Sequence, residues 1–205
     1  MQLTQYNIVL FLSLYRILQK SKTNQIRALN QVRISAGVWR SRLLKFPDAE
    51  GLRPTPDRVR QTVFNWLGQE LTGKTCLDLF AGTGALGFEA LSRNAKQVTM
   101  VENASVAFKA LKQNQTTLKA DAATILHMDA MQFLQQNTQQ FDMIFCDPPY
   151  QKDWLTKLLP LLHGHLSDGG IVYAEAEYEL KSNETWQVLK QGKAGNVYYH
   201  LLKPV

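Results

Sequence analysis

Short apolar runs alternate with longer stretches whose apolar residues stand three or four apart. Thr75 to Leu79, Gln97 to Val101, Ala123 to His127 and Phe141 to Cys146 each read as a buried strand. Helical patterns separate them, Asp153 to Leu162 reads as the next helix, and Gly170 to Glu177 reads as a fifth strand. Strands joined by helical crossovers must lie parallel, so the pattern predicts an α/β domain built on a mostly parallel sheet. Trp186 to Lys190 and Val197 to Lys203 bracket Gly192 to Asn196, which predicts a hairpin forming an antiparallel edge. Upstream, Val32 to Phe46 reads as a short β-hairpin with Ser35, Ala36 and Gly37 near its turn. Val59, Val63, Phe64 and Leu67 form an apolar stripe on a helix that Thr55 would cap, with Pro56 at its first position. Ile8 to Leu18 is apolar except for Ser13 and Arg16, and is too short to cross a bilayer. No basic residue precedes it and no small-residue cleavage site follows, so it does not read as a secretory signal.

The strand ends carry the chemistry. After the first core strand, Gly82, Gly84 and Gly87 have the G-x-G-x-x-G spacing, which lets the backbone turn sharply and approach a nucleotide-like ligand. That spacing alone also fits a dinucleotide-binding dehydrogenase. Glu102 ends the second strand, where an acid can accept from both hydroxyls of a ribose. Asp129 follows the third, within reach of an adenine amino group, and Asp78 ahead of the glycine loop can face an ammonium. The fourth strand closes with Asp147, Pro148, Pro149 and Tyr150. The lone pair of an exocyclic amino nitrogen is delocalised into its ring. The Asp147 carboxylate and the Pro148 carbonyl can accept its two N–H bonds and so localise the pair toward an incoming methyl group. The two prolines stiffen that turn, and Tyr150 offers a face on which an extruded base stacks. A nicotinamide enzyme would leave this last motif without a role.

Together these residues resemble the class I S-adenosylmethionine-dependent methyltransferases from Thr75 to Glu177, with Asp78 to Gly84 (D-L-F-A-G-T-G) as the cofactor loop and D-P-P-Y as the amino-methylating motif. The resemblance narrows upstream. The segments Arg33 to Arg42 (R-I-S-A-G-V-W-R-S-R), Gly51 to Arg60 (G-L-R-P-T-P-D-R-V-R) and Phe64 to Leu67 (F-N-W-L) are similar to the RsmD family. It implies a Rossmann-like class I methyltransferase fold with a seven-stranded sheet. It further implies S-adenosylmethionine as cofactor, no metal, and methylation of one guanine N2 in 16S rRNA. Under it, Asp147, Pro148, Pro149 and Tyr150 are the candidate catalytic residues. Asp78, Phe80, Gly82, Gly84, Glu102, Asp129 and Ala130 are the candidate cofactor residues. The expected organisation is an extension over 1–31, a basic hairpin and helix for RNA docking over 32–72, and the methyltransferase domain over 73–205.

Charge adds the expected partner. The net charge of +6 is not evenly spread: up to Cys76 there are 12 Lys and Arg against 4 Asp and Glu, and from Leu77 onward 11 against 13. A basic block ahead of a nucleobase site predicts phosphate contacts by Arg33, Arg40, Arg42, Arg53, Arg58 and Arg60, with Thr55 beside them and Trp39 either stacking on a base or packed in the core. The expected partner is 16S rRNA, within an assembling small ribosomal subunit, and the expected state is a cytoplasmic monomer. Cys76 and Cys146 fall in buried strands and read as reduced core residues. Two alternatives stay open: adenine-N6 or cytosine-N4 methylation of another RNA or DNA, and a non-catalytic RNA-binding module. The small size argues against a duplex-reading DNA enzyme, which usually needs a separate recognition domain.

Overall fold

A computed structural model describes residues 29–49, 52, 54–149 and 153–205. The candidate residues Arg53 and Tyr150 lie outside the described residues, as does nearly all of the expected extension over 1–31.

Among the described residues, nine strands form two sheets. β1 (Leu29–Arg33) and β2 (Leu43–Pro47) make the predicted antiparallel hairpin, pairing Arg33 with Leu43. The central sheet contains β3 (Thr75–Asp78), β4 (Gln97–Glu102), β5 (Ala123–His127), β6 (Phe141–Cys146), β7 (Leu166–Ala176), β8 (Trp186–Ala194) and β9 (Val197–Pro204). Their order is β5-β4-β3-β6-β7-β9-β8, with β9 antiparallel to both of its neighbours. The strand order reverses between β3 and β6, so the carboxyl ends of these two parallel strands border the crevice where open α/β sheets bind ligands. β7 begins before the predicted Gly170, and β8 runs past Lys190 with a register shift between Val188 and Lys190.

Helices cover both faces of the sheet. On one face lie α1 (Asp57–Leu67), α2 (Ala85–Ser92) and α3 (Ser105–Leu118). Val63, Phe64, Phe88 and Leu111 there pack with Cys76, Val98, Met100 and Phe145 of the sheet. On the other lie α4 (Ala130–Gln136) and α5 (Trp154–Leu162), whose Phe133, Leu134, Leu155 and Leu158 pack with Leu77, Val101 and Ile144. Among the described residues, no helix is long and apolar enough to cross a membrane.

The basic hairpin is built into this core. Its Val32, Ile34, Leu44 and Phe46 belong to the same buried cluster as α1 and α2. The Glu89 carboxylate of α2 accepts from the backbone N–H groups of Ser35 (2.7 Å) and Ala36 (3.0 Å) and is paired with Arg93 at 2.9 Å. The Ser92 hydroxyl accepts from the Trp39 N–H at 2.9 Å, and the Ser92 carbonyl from the Val38 N–H at 2.7 Å. Gly37, at φ +80°, lies so close that a β-carbon there would meet the Ser92 carbonyl oxygen at 1.7 Å. On the other side, Asn114 of α3 exchanges two hydrogen bonds with the Lys45 backbone, as a neighbouring strand would.

Two expectations for this region are corrected. Thr55 does not cap α1: Pro56 occupies that position without a side-chain cap, and the Thr55 hydroxyl points elsewhere. Arg60 is not a free phosphate ligand. It is 1% exposed, and its guanidinium donates to the carbonyls of Thr55 (2.7 Å) and Arg33 (2.6 Å) and pairs with Asp57 at 2.8 Å. Its place in the helical stripe, one residue after Val59, turns it inward, where it joins the hairpin, the loop before α1 and the helix.

Candidate active site

The ends of β3, β4 and β6 bring the sequence-predicted acids to the crevice. Asp78 ends β3 and is buried, and its Oδ2 accepts from the Gly87 N–H in the first turn of α2 at 3.0 Å. Burial, with repulsion from Glu102 added, raises its pKa to about 7 despite that hydrogen bond. Gly82 and Gly84 lie between them at positive φ, and Gly84 turns the chain into α2. A β-carbon on Gly84 would meet the Phe88 ring at 2.6 Å, so close packing adds to the conformational demand for glycine. Glu102 ends β4, its Oε2 accepting from the Gly82 N–H at 2.8 Å and its Oε1 from the Ala104 N–H at 2.6 Å. The carboxylate is thereby fixed beside the loop, with a second lone pair on each oxygen.

Asp129 follows β5 and caps α4, Oδ1 accepting from the N–H groups of Met131 (2.8 Å) and Gln132 (3.3 Å). Ala130 is buried behind it. Phe80, half-buried, meets Trp154 of α5 edge to face with centroids 5.7 Å apart. A buried acid with no counter-charge among the described residues, a glycine turn and a carboxylate locked beside it form a set of acceptors suited to a nucleoside bearing an ammonium group.

Asp147 follows β6 directly. Its Oδ2 is 3.5 Å from the Thr55 hydroxyl, a long hydrogen bond that joins the loop before α1 to the candidate catalytic turn. Pro148 is buried and Pro149 exposed, as expected of a turn with one side on the core. The Asp147 carboxyl is held well above the usual carboxylate range, by burial first and then by its contact with Glu175. Glu175 and its neighbour Tyr173, both on β7, went unnoticed in the sequence. The available signal was an acid inside the apolar run Val172 to Ala176.

Of the candidate RNA residues, Arg33, Arg40, Arg42 and Arg58 are exposed, and Val38 at the hairpin tip is 68% exposed. Arg33 donates to the Ser41 carbonyl (3.1 Å) and Arg42 to the Thr117 carbonyl (3.3 Å), leaving other guanidinium N–H groups for an external acceptor. Trp39 is half-buried and packs against the core.

A seven-stranded sheet in this order, with a glycine loop after its first parallel strand and acids at the tips of the next two, defines a class I methyltransferase. The family model described as Conserved hypothetical protein 95 matches residues 32–203. The chain belongs to that family, the RsmD methyltransferases. It is 42% identical over 178 residues to the Ribosomal RNA small subunit methyltransferase D of Escherichia coli, covering 83% of this chain and 89% of that protein. It is 42% identical over 182 residues to the protein of the same name from Haemophilus influenzae, covering 85% and 94%. The solved structure of yhhF from Escherichia coli matches with a TM-score of 0.77 at 40% identity, over 85% of this chain and 98% of that one.

Proposed function

We propose that this protein methylates the exocyclic N2 of a guanine in 16S rRNA, with S-adenosylmethionine as donor. The reading is carried by one observation: Asp147 and Pro148 stand at the end of β6, across the switch point from Asp78 and its glycine loop on β3. The names of the relatives support small-subunit rRNA as substrate.

The bound cofactor supplies a methyl group on a positively charged sulfonium, a donor that needs no metal or covalent enzyme intermediate. In this reading the residues mainly position and accept. Asp78 faces the ammonium of the donor's amino-acid part. Glu102 accepts from the ribose hydroxyls with the lone pairs its backbone contacts leave, and the Oδ2 of Asp129 accepts from the adenine amino group. Asp147 and the Pro148 carbonyl accept from the target amino group, and Tyr150 stacks on the base. Arg33, Arg40, Arg42 and Arg58 bind phosphates, giving 32–72 the role of an RNA-docking segment. The protein acts as a cytoplasmic monomer on an assembling small subunit.

The test is transfer of a labelled methyl group to small-subunit RNA, naked and within particles, followed by digestion to nucleosides. N2-methylguanosine is expected, absent with Asp147→Ala. Methylated adenosine or cytidine would replace the guanine reading, and no transfer to any RNA would overturn the enzyme reading.

A further inference from the structure

The outer face of α3 is basic and lies outside the segment 32–72. Between Glu102 and Asp121 the chain has Lys109, Lys112 and Lys119 and no acid. At 3.6 residues per turn, Lys109 and Lys112 stand together on the side of α3 opposite the buried Ala107, Leu111 and Asn114. Both are exposed, and Lys112 donates to Oε1 of Gln115 at 2.7 Å. The hairpin continues this face. Its β2 runs beside α3, tied there by the two bonds between Asn114 and the Lys45 backbone and by Arg42 on the Thr117 carbonyl. Arg33 and Lys45 alternate with the buried Val32, Ile34, Leu44 and Phe46, so they point away from the core. Arg33, Lys45, Lys109 and Lys112 therefore border one surface.

Carboxylates are scarce around it. Asp48 and Asp121 stand just past the ends of β2 and α3, and the ion pairs among the described residues, Arg60 with Asp57, Lys74 with Asp142 and Arg93 with Glu89, involve none of the four cations. Residues 1–28 contain no Asp or Glu, and Glu50 is the one acid outside the described residues, so those segments can neutralise at most one of the four. Exposed acids lie elsewhere: Asp153 at the start of α5, and Glu179 and Glu184 after β7. A polyanion is thereby turned toward α3. The aromatic residues of the hairpin and α3 are withdrawn. Phe46 is buried, Trp39 packs on the core, and Phe108 is half-buried with the His127 ring stacked on it at 4.8 Å. Single-stranded RNA is held on exposed aromatic platforms, whereas base-paired RNA offers phosphates and 2′-hydroxyls and keeps its bases stacked inside. Flexible ammonium groups without platforms match the base-paired form.

We propose that α3 is a second RNA-docking element, which together with the outer face of the hairpin holds the sugar–phosphate backbone of a base-paired segment flanking the target guanine. This rests on RNA being the substrate. α3 starts just past Glu102 at the crevice and runs back along the sheet, so a duplex laid on it leads away from Asp147 and leaves the crevice to the extruded base.

The test measures binding of 16S rRNA, of a mixed-sequence RNA duplex and of a single-stranded RNA of equal length over a salt series, using the full chain. With Lys109→Gln and Lys112→Gln combined, affinity for 16S rRNA and for the duplex should fall, and the salt slope should flatten by roughly 1.4 to 1.8 logarithmic units for the pair. Binding of the single strand should change little. Lys109→Arg with Lys112→Arg keeps both charges and should bind as the wild type does. Lys157→Gln with Lys190→Gln removes the same net charge from exposed positions on α5 and β8, and should leave the slope as it was. An unchanged duplex slope in the α3 variant, or an equal flattening in the α5 and β8 variant, would overturn the proposal. Equal losses on duplex and single strand would overturn the assignment to base-paired RNA. If the wild type neither binds nor methylates any RNA, the substrate reading falls; if it methylates 16S rRNA and the α3 variant keeps the wild-type slope, only the role of α3 is lost.

Discussion

Asp78 is a carboxyl buried at a strand tip and hydrogen-bonded to a helix N-terminus, with no cation beside it among the described residues. Its folded pKa of about 7 lies above the ordinary 3.8, so the folded protein binds this proton more tightly than the unfolded chain does. The resulting stabilisation is fully present below the unfolded value and is lost as pH rises through about 7. In the ligand-free protein, the melting temperature of wild type relative to Asp78→Asn should therefore decline between those values, as calorimetric scans at several pH values would show. An ammonium placed against Asp78 favours the ionised form. S-adenosylmethionine affinity should thus rise with pH toward about 7 and flatten beyond it, with proton release on binding at lower pH. Titration calorimetry in buffers of different ionisation enthalpy measures that release. A pH-independent affinity with no proton released would remove Asp78 from the ammonium site.

At the scale of elements, the hairpin and α2 act as one unit because backbone groups of the hairpin end on Glu89 and Ser92. Gly37→Ala forces a β-carbon into the Ser92 carbonyl at a φ that favours glycine, and should cost about 1 to 3 kcal/mol in chemical unfolding. Trp39→Ala should lower stability by about 1 to 3 kcal/mol, since the ring packs on the core. These elements differed in how readily the sequence showed them. Ala123 to His127 and Phe141 to Cys146 match the observed strands end to end, because each is a short run dominated by apolar residues and set between polar stretches. The glycine loop was equally plain, since Gly82 and Gly84 meet a backbone demand that is local in sequence. The inward turn of Arg60 was not legible, since its acceptors, the Thr55 and Arg33 carbonyls, are set by tertiary packing. Glu175 was hidden for the same reason: its partner lies 28 residues away in sequence and meets it only through the β6–β7 register.

Over the whole molecule, positive charge is concentrated ahead of Leu77, while the rest of the chain carries a slight excess of acids. Such an arrangement orients a polyanion before any base is read. Replacing Arg40 and Arg42 together should weaken RNA binding and flatten its salt dependence by roughly 0.7 to 0.9 logarithmic units per lost contact, with S-adenosylmethionine affinity unchanged. Binding isotherms over a salt series give the slope. An unchanged slope would remove the hairpin tip from the phosphate-binding surface and direct attention to Arg33 on β1 and to Arg58.

Because β9 lies between β7 and β8, it has a temporal consequence for synthesis. Tyr199 and Leu201 complete one buried cluster and Leu202 the other, so both faces of the sheet stay open until Val197–Pro204 has emerged from the translating ribosome. The parallel strands made earlier wait with β7 unpaired along the side that β9 later covers, an edge open to other chains. A nascent chain arrested before Val197 should therefore be protease-sensitive and hold no cofactor, while one extruded past Pro204 should become resistant. A protein of this family thus reaches its working shape only after nearly all of its length has been synthesised.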